Sequence, residues 1–220
     1  MIYGVIFDLD GTLLNTLDDL CDSTNFVLSK FGFPSRTIEE IRRFVGNGVK
    51  LLIERAIPNG QGNKYFTECL EAFKIHYKEN MYNKTAPYNG ILELLKELRL
   101  NGIHTAVVSN KYDAAVKELC KKYFGDLIQV AIGENEAEGI RKKPAPDSVF
   151  KAIQELSISI ENVIYIGDSE TDVQTAKNAE IECVGCSWGF RDETILKKEG
   201  ADYIVNTPDE ILKIVLPNKR

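Results

Sequence analysis

The chain has 220 residues, with 27 Lys and Arg against 33 Asp and Glu and a formal net charge of −6. At about 100–200 residues per domain, that length allows one large domain or a core with a smaller companion. A composition of 44% apolar and 27% charged residues excludes global disorder, and a mildly acidic chain with no long Lys/Arg cluster gives no reason to expect a nucleic-acid partner.

No apolar run approaches the roughly 20 residues of a membrane span. The N-terminus MIYGVIFDLDG shows neither a basic leader region nor a small-residue cleavage site. Cysteines at 21, 69, 120, 183 and 186, odd in number and scattered, fit a reducing, cytoplasmic setting. Monomer and homodimer both stay open.

In chain order, Ile2–Phe7 is a continuous apolar, β-branched and aromatic run closed by Asp8-Leu9-Asp10-Gly11-Thr12, the pattern of a fully buried strand. Residues 15–84 contain no comparable run. Leu17–Phe31, Ile38–Val45, Val49–Ala56 and Tyr65–Tyr82 read as helices, broken at Gly32-Phe33-Pro34, Gly46-Asn47-Gly48 and Pro58-Asn59-Gly60. A helical block of that size cannot be an ordinary βα connection of about 2–6 residues. It is expected to be an inserted all-helical domain over 15–84, hinged near Leu14–Leu17 and near Asn83–Pro87.

Beyond it, strand-like runs at Ile103–Val108, Leu127–Ile132, Val163–Ile166, Ile181–Cys186 and Tyr203–Val205 alternate with helical patterns at 91–98, Ala114–Tyr123, Asp147–Leu156 and Thr171–Ala179. This alternation predicts βαβ units and a mainly parallel sheet, hence an α/β core over 1–14 and 85–220. Glu134–Glu138 reads as a solvated acidic loop and Pro217–Arg220 as a frayed tail.

Ligands of open α/β sheets sit beyond the carboxyl ends of strands. Asp8 and Asp10, two apart in an extended segment, can face one such site together. Two close carboxylates require a cation or a shared proton, and Gly11 lets the chain turn out of the strand. The competing reading is a plain Asp10-Gly11 turn with Asp8 capping the strand.

Gly167-Asp168-Ser169-Glu170-Thr171-Asp172 ends another buried strand and places Asp168 at the same edge. For Ser169, Glu170 and Asp172, helix capping or support of other groups is at least as good a reading as a direct role in the site. A donor set of Asp8, Asp10 and Asp168 with no accompanying His or Cys suits Mg²⁺ rather than Zn²⁺. Ser109 and Asn110 end a third strand, where a hydroxyl and main-chain amides can take a phosphate oxygen or simply cap the next helix. Lys143 sits in a proline-bounded loop and gains weight from the acidic company it keeps.

With DLDGT at 8–12, Ser109 after an apolar strand, Lys143 in KPAPD and GDSETD at 167–172, the sequence resembles the haloacid-dehalogenase-like superfamily of phosphohydrolases. The resemblance spans essentially the whole chain. It implies a Rossmann-like three-layer α/β/α core whose helical cap is inserted after the first motif. Within the superfamily the chain is most similar to bacterial phosphoglycolate phosphatases, through Phe44–Gly48 with Glu54-Arg55-Ala56, KKPAPD, and GDSETDVQTAKNAE at 167–180. It departs from the pattern at Asn15-Thr16, where the family often carries Asp-Ser.

The resemblance implies a Mg²⁺-dependent phosphomonoesterase acting on a small phosphorylated metabolite, 2-phosphoglycolate first. A sugar-phosphate phosphatase or a β-phosphoglucomutase-type mutase is the alternative, and a non-catalytic binding protein a remote one. In this scheme Asp8 is the nucleophile and Asp10 the acid and base. Asp8, the Asp10 main-chain carbonyl and Asp168 bind the metal, Lys143 and Ser109 assist, and Gly11, Thr12 and Asn110 shape the phosphate site. Gly46, Asn47 and Gly48 form a substrate loop, or else a simple turn, with Arg43, Lys50 and Arg55 as candidate carboxylate contacts. Cys183 and Cys186 within a strand, Trp188, Phe190, His76 and His104 are read as packing or as groups without recognisable partners.

Overall fold

The computed structural model describes residues 1–135 and 139–217. Part of the acidic stretch (136–138) and the last three residues of the tail lie outside them. The chain divides into two compact units, Met1–Leu14 with Pro87–Arg220, and Asn15–Ala86.

The first unit is built on β1 (Gly4–Phe7). The chain leaves it through β2 (Leu14–Asn15) and returns through β3 (Ala86–Pro87). It then forms α5 (Ile91–Leu100), β4 (His104–Tyr112), α6 (Asp113–Phe124), β5 (Val130–Glu134), α7 (Asp147–Leu156), β6 (Val163–Gly167), α8 (Glu170–Asn178), β7 (Glu182–Cys186), α9 (Glu193–Glu199), β8 (Tyr203–Val205) and α10 (Pro208–Val215). The six strands of its sheet run in the order β5-β4-β1-β6-β7-β8, and every pairing is parallel. Gly4 sits opposite both His104 and Val163 in register.

The apolar runs bury both faces of β1, because side chains alternate sides along a strand. Ile6 joins Val108, Ile132 and Tyr165 beneath α7, α8 and α9. Val5 and Phe7 point the other way, where α5 packs against β4 and α10. The parallel sheet between helical layers is the α/β core that the alternation predicts, in the three-layer form that the family resemblance implies.

Two helices that the sequence reading did not predict, α9 and α10, are short. Their signals lie at the ends: Asp192 caps α9 at the amide of Ile195 and Gly200 closes it in a left-handed conformation, while α10 starts on Pro208. The strand predicted to end at Val108 runs to Tyr112, with a register shift between those two residues.

The second unit holds α1 (Leu17–Lys30), α2 (Ile38–Phe44), α3 (Val49–Ala56) and α4 (Phe66–Asn80). The Asn15 side chain accepts from the Leu17 amide at 3.3 Å, at the start of α1. Thr37 and Glu40 form a reciprocal capping box on α2. His76 finds partners after all: it stacks on Phe26 and lies 3.0 Å from the Ser23 hydroxyl. Among the described residues, no helix is long and apolar enough to cross a membrane.

Asp19 on α1 is 1% exposed and accepts from the Lys84 amide, the Thr85 amide and the Thr85 hydroxyl at 2.8–3.1 Å. Removing it leaves several buried donors unsatisfied. Asp19→Ala is therefore expected to lower unfolding stability by about 2–4 kcal/mol. Urea denaturation checks this, and an unchanged midpoint contradicts it.

Candidate active site

The connection after β1 leads toward β4, and the one after β6 leads toward β7, on the opposite side. That reversal opens a crevice at the carboxyl ends of β1 and β6, the place where open α/β sheets bind ligands. Asp8 follows β1 directly and Asp168 follows β6 directly. They are 6% and 1% exposed. With Asp172, in the first turn of α8, they present carboxylate oxygens within 4.8 Å of one another. The Asp10 side chain is not in this group.

The Lys143 ammonium stands between two of the three carboxylates, 2.6 Å from Asp8 Oδ1 and 2.7 Å from Asp172 Oδ1. It also donates to the Tyr165 hydroxyl at 3.1 Å. Its loop is fixed from several sides. Asn110 accepts from the Lys143 amide and donates to the Lys143 carbonyl, Asn178 donates to the Pro144 carbonyl, and Arg141 pairs with Asp147. Asn110, expected beside phosphate, thus clamps the backbone that presents the ammonium.

Burial alone would pull the Lys143 ammonium down, but Asp172 and Asp8 outweigh it and hold it above the ordinary lysine value. Asp8 is raised well above the usual carboxylate range by burial, with Lys143 opposing and Asp172 and Asp168 adding to the rise. Three carboxylates are gathered about one ammonium that touches only Asp8 and Asp172, so the pocket is short of positive charge. Such a set must take up protons or a divalent cation.

The residues fit a hard cation. All donors are oxygens, which suits Mg²⁺. Asp172 is already saturated: Oδ2 accepts from the Asp168 amide and from the Ser169 amide and hydroxyl, and Oδ1 from Lys143 and Tyr165. It anchors Lys143 and caps α8. Asp8 and Asp168 are therefore the better ligands.

Asp168 is oriented by groups that the sequence reading used otherwise. Thr12 Oγ1 donates to its Oδ1 at 3.0 Å and the Phe190 amide to its Oδ2 at 2.7 Å. The Trp188 indole N–H donates to the Thr12 carbonyl at 3.0 Å, so the 188–190 loop holds the acidic strand ends together. Two glycines make room for the carboxylate. A Cβ on Gly11, whose φ is +95°, would stand 2.3 Å from Asp168 Oδ2, and one on Gly189 would stand 2.3 Å from its Cβ. Trp188 and Phe190, read as packing, thus belong to the site's supports. Their signal was their place just after a buried strand at the ligand-binding edge.

Ser109 is buried at the end of the regular part of β4, its Oγ accepting from the Lys111 amide at 3.2 Å. Its hydroxyl proton can still be given to an anionic oxygen. Asp10 Oδ1 meets the buried Lys111 ammonium at 2.9 Å. Lys111 is a second site cation that the sequence reading did not single out.

In the helical unit, Gly46 and Gly48 have φ of +110° and +86°. The loop they bound is braced by Arg55, which donates to the Phe44 carbonyl at 2.6 Å and to Asn47 Oδ1 at 3.2 Å. Arg55 holds the loop's shape, while Arg43 and Lys50 on its flanks are exposed. All five cysteines are unpaired. Burial raises Cys183 and Cys186 far above the ordinary thiol value, so neither is a thiolate near neutral pH.

The strand-end carboxylates and the seated ammonium stand at the ligand-binding edge of a parallel α/β sheet, and the comparisons with known proteins give the class of hydrolase. Residues 5–186 match the family model for haloacid dehalogenase-like hydrolases, and the chain belongs to that family. A phosphoglycolate phosphatase of Mannheimia succiniciproducens is 31% identical over 95% of this chain and 96% of its own length. One from Neisseria meningitidis serogroup A is 30% identical over 99% and 95%. The crystal structure of a candidate phosphoglycolate phosphatase from Lactobacillus delbrueckii subsp. bulgaricus superposes with a TM-score of 0.93 at 36% identity, covering 98% of this chain and 99% of that one. Within its family the chain is a phosphatase of the phosphoglycolate phosphatase-like kind.

With no cation bound, Asp168 is pushed up to about 7, first by burial and then by the Asp172 charge. A carboxyl raised in the folded state retains a proton that the unfolded chain has lost. Its contribution to stability is complete below about pH 4 and is lost as pH rises through about 7. In chelator, the thermal midpoint of the wild type minus that of Asp168→Asn is therefore expected to fall between about pH 5 and about pH 8. A difference that is constant or rises contradicts the assignment.

Proposed function

We propose that the chain is a Mg²⁺-dependent phosphomonoesterase working in the cytoplasm on a small phosphorylated metabolite, 2-phosphoglycolate first among them, by way of an aspartyl-phosphate on Asp8. The observation that carries this reading is the buried Asp8 carboxylate at the crevice, held on one oxygen by Lys143 at 2.6 Å. A nucleophile of this kind needs no deprotonation, but it must approach an anion, and the Lys143 charge lowers that repulsion.

Asp8 and Asp168, with the main-chain carbonyl of Asp10, would hold Mg²⁺. The chemistry the ion supplies when bound is neutralisation of charge on the phosphoryl oxygens and the attacking carboxylate.

The steps then use this chain's own groups. An Asp8 carboxylate oxygen attacks phosphorus as the bond to the ester oxygen breaks, and Asp10 gives its proton to that departing oxygen. Water next attacks the phosphorus of the acyl phosphate and Asp10 takes its proton, which releases inorganic phosphate and restores Asp8. Ser109 donates to a phosphoryl oxygen throughout, and Lys143 keeps the charge balanced.

Substrate selection belongs in this reading to the helical unit over 15–84. The Gly46-Asn47-Gly48 loop is braced by Arg55, and the exposed Arg43 and Lys50 beside it suit a carboxylate such as that of phosphoglycolate. The relatives' names favour this substrate over a sugar phosphate. The five unpaired thiols support a reducing compartment.

A phosphate-release assay over a panel of phosphorylated metabolites tests the reading, comparing kcat/KM. Expected are highest efficiency on 2-phosphoglycolate, silence in EDTA with recovery in Mg²⁺, and a loss of at least about 10³-fold in a folded Asp8→Asn variant. Turnover by Asp8→Asn near that of the wild type would remove the nucleophile assignment, and indifference to chelation would remove the metal.

A further inference from the structure

Asp10 and Lys111 form a second buried carboxylate–ammonium pair, and the steps above leave Lys111 without a task. Lys111 lies where β4 shifts register between Val108 and Tyr112. Its backbone is closely seated: its amide donates to Ser109 Oγ at 3.2 Å, and a Cβ on Gly133 of the neighbouring strand would come within 2.6 Å of its carbonyl oxygen. Its side chain is 5% exposed, against 19% for Asp10. Burying a lysine charge is costly unless a carboxylate meets it, so this placement is a built feature of the site edge.

The two acids that flank Asp8 are held in contrasting ways. Asp172 is fixed by five donated hydrogen bonds. Asp10 Oδ1 is buried and takes no directed hydrogen bond among the described residues. What it meets is the Lys111 charge at 2.9 Å. Directed bonds lock a carboxylate, whereas a charge contact restrains its place while allowing it to turn. An acid that must serve first the departing oxygen and then the incoming water needs such freedom within a small radius.

We propose that Lys111 is the positioning residue of Asp10, a buried electrostatic tether that keeps the Asp10 carboxyl at the reacting edge without fixing its orientation. This inference rests on reading Asp10 as the acid and base of the phosphatase reaction. In the step concerned, the phosphorus–oxygen bond to the leaving group breaks, its electron pair stays on that oxygen, and the Asp10 proton moves there.

Leaving-group dependence separates a positioning role from a structural one. An alkyl phosphate needs that proton, whereas 2,4-dinitrophenyl phosphate expels a stable phenolate without it. The wild type, Asp10→Asn, Lys111→Met and Lys111→Arg are compared in Mg²⁺ by kcat/KM, which reports the half-reaction up to release of the alcohol or phenol. Lys111→Met is expected to lose about 30–100-fold on the alkyl ester and no more than about 3-fold on the dinitrophenyl ester. Lys111→Arg should recover most of the loss, and Asp10→Asn should show the same bias in larger measure.

If Asp10→Asn is biased but Lys111→Met falls equally on both esters, or on neither, the tether is overturned and the Asp10 reading survives. If Asp10→Asn itself shows no bias, the acid reading fails and the tether falls with it. Should Lys111→Met not fold, Lys111→Gln carries the same comparison.

Discussion

The site rests on an imbalance of buried charge. Asp8, Asp168 and Asp172 converge at the carboxyl ends of two neighbouring strands, and one ammonium, that of Lys143, meets two of them, Asp8 and Asp172. Packing apolar side chains there would cost less, because each carboxylate taken out of water loses solvation that one shared ammonium cannot return. The fold tolerates the cost because the surrounding parallel sheet is deeply apolar, with Ile6, Phe7, Ile164 and Ile166 all fully buried. In the proposed reading, the imbalance is what draws a divalent cation and, through it, a phosphate ester.

The supporting groups follow from that imbalance. Asp172 spends all its hydrogen-bonding capacity on Lys143, Tyr165 and the start of α8, which fixes the ammonium. Asn110 and Asn178 fix the loop that carries it. Thr12, Trp188 and the Phe190 amide fix Asp168. Each device holds a charged side chain in one rotamer before substrate arrives, the preorganisation that phosphoryl transfer depends on. Asp10 is held differently, by the Lys111 charge at 2.9 Å with no directed hydrogen bond to its Oδ1 among the described residues, the arrangement on which the proposed acid and base role draws.

Much of this could be read in the sequence, for physical reasons. The strand preceding Asp8 and the one preceding Asp168 are continuous apolar runs that end abruptly in acids, and burial on both faces of a parallel sheet produces that pattern. Four helices between Asn15 and Ala86 could be read from their periodicity and breakers. The short helices α9 and α10, seven and eight residues long, were missed because about two turns repeat the helical period too few times to stand out, although their caps were in view.

In the site, the roles of Asn110, Trp188 and Lys111 depended on contacts between segments far apart in the chain. Trp188 meets Thr12 across 176 positions, and no local pattern encodes such a meeting. Asp172 read at least as well as a helix cap or supporting acid as it did as a direct site group, and the structure has it both capping α8 and meeting Lys143.

The central claim is that the buried carboxylates at the ends of β1 and β6 exist to hold one divalent cation. Diffraction from crystals of the protein soaked in Mn²⁺, recorded at the manganese edge, measures this directly. The account predicts one strong anomalous peak against the carboxylates of Asp8 and Asp168, absent from Asp168→Asn crystals treated alike. No peak at that position, or one of equal height in the variant, would contradict it.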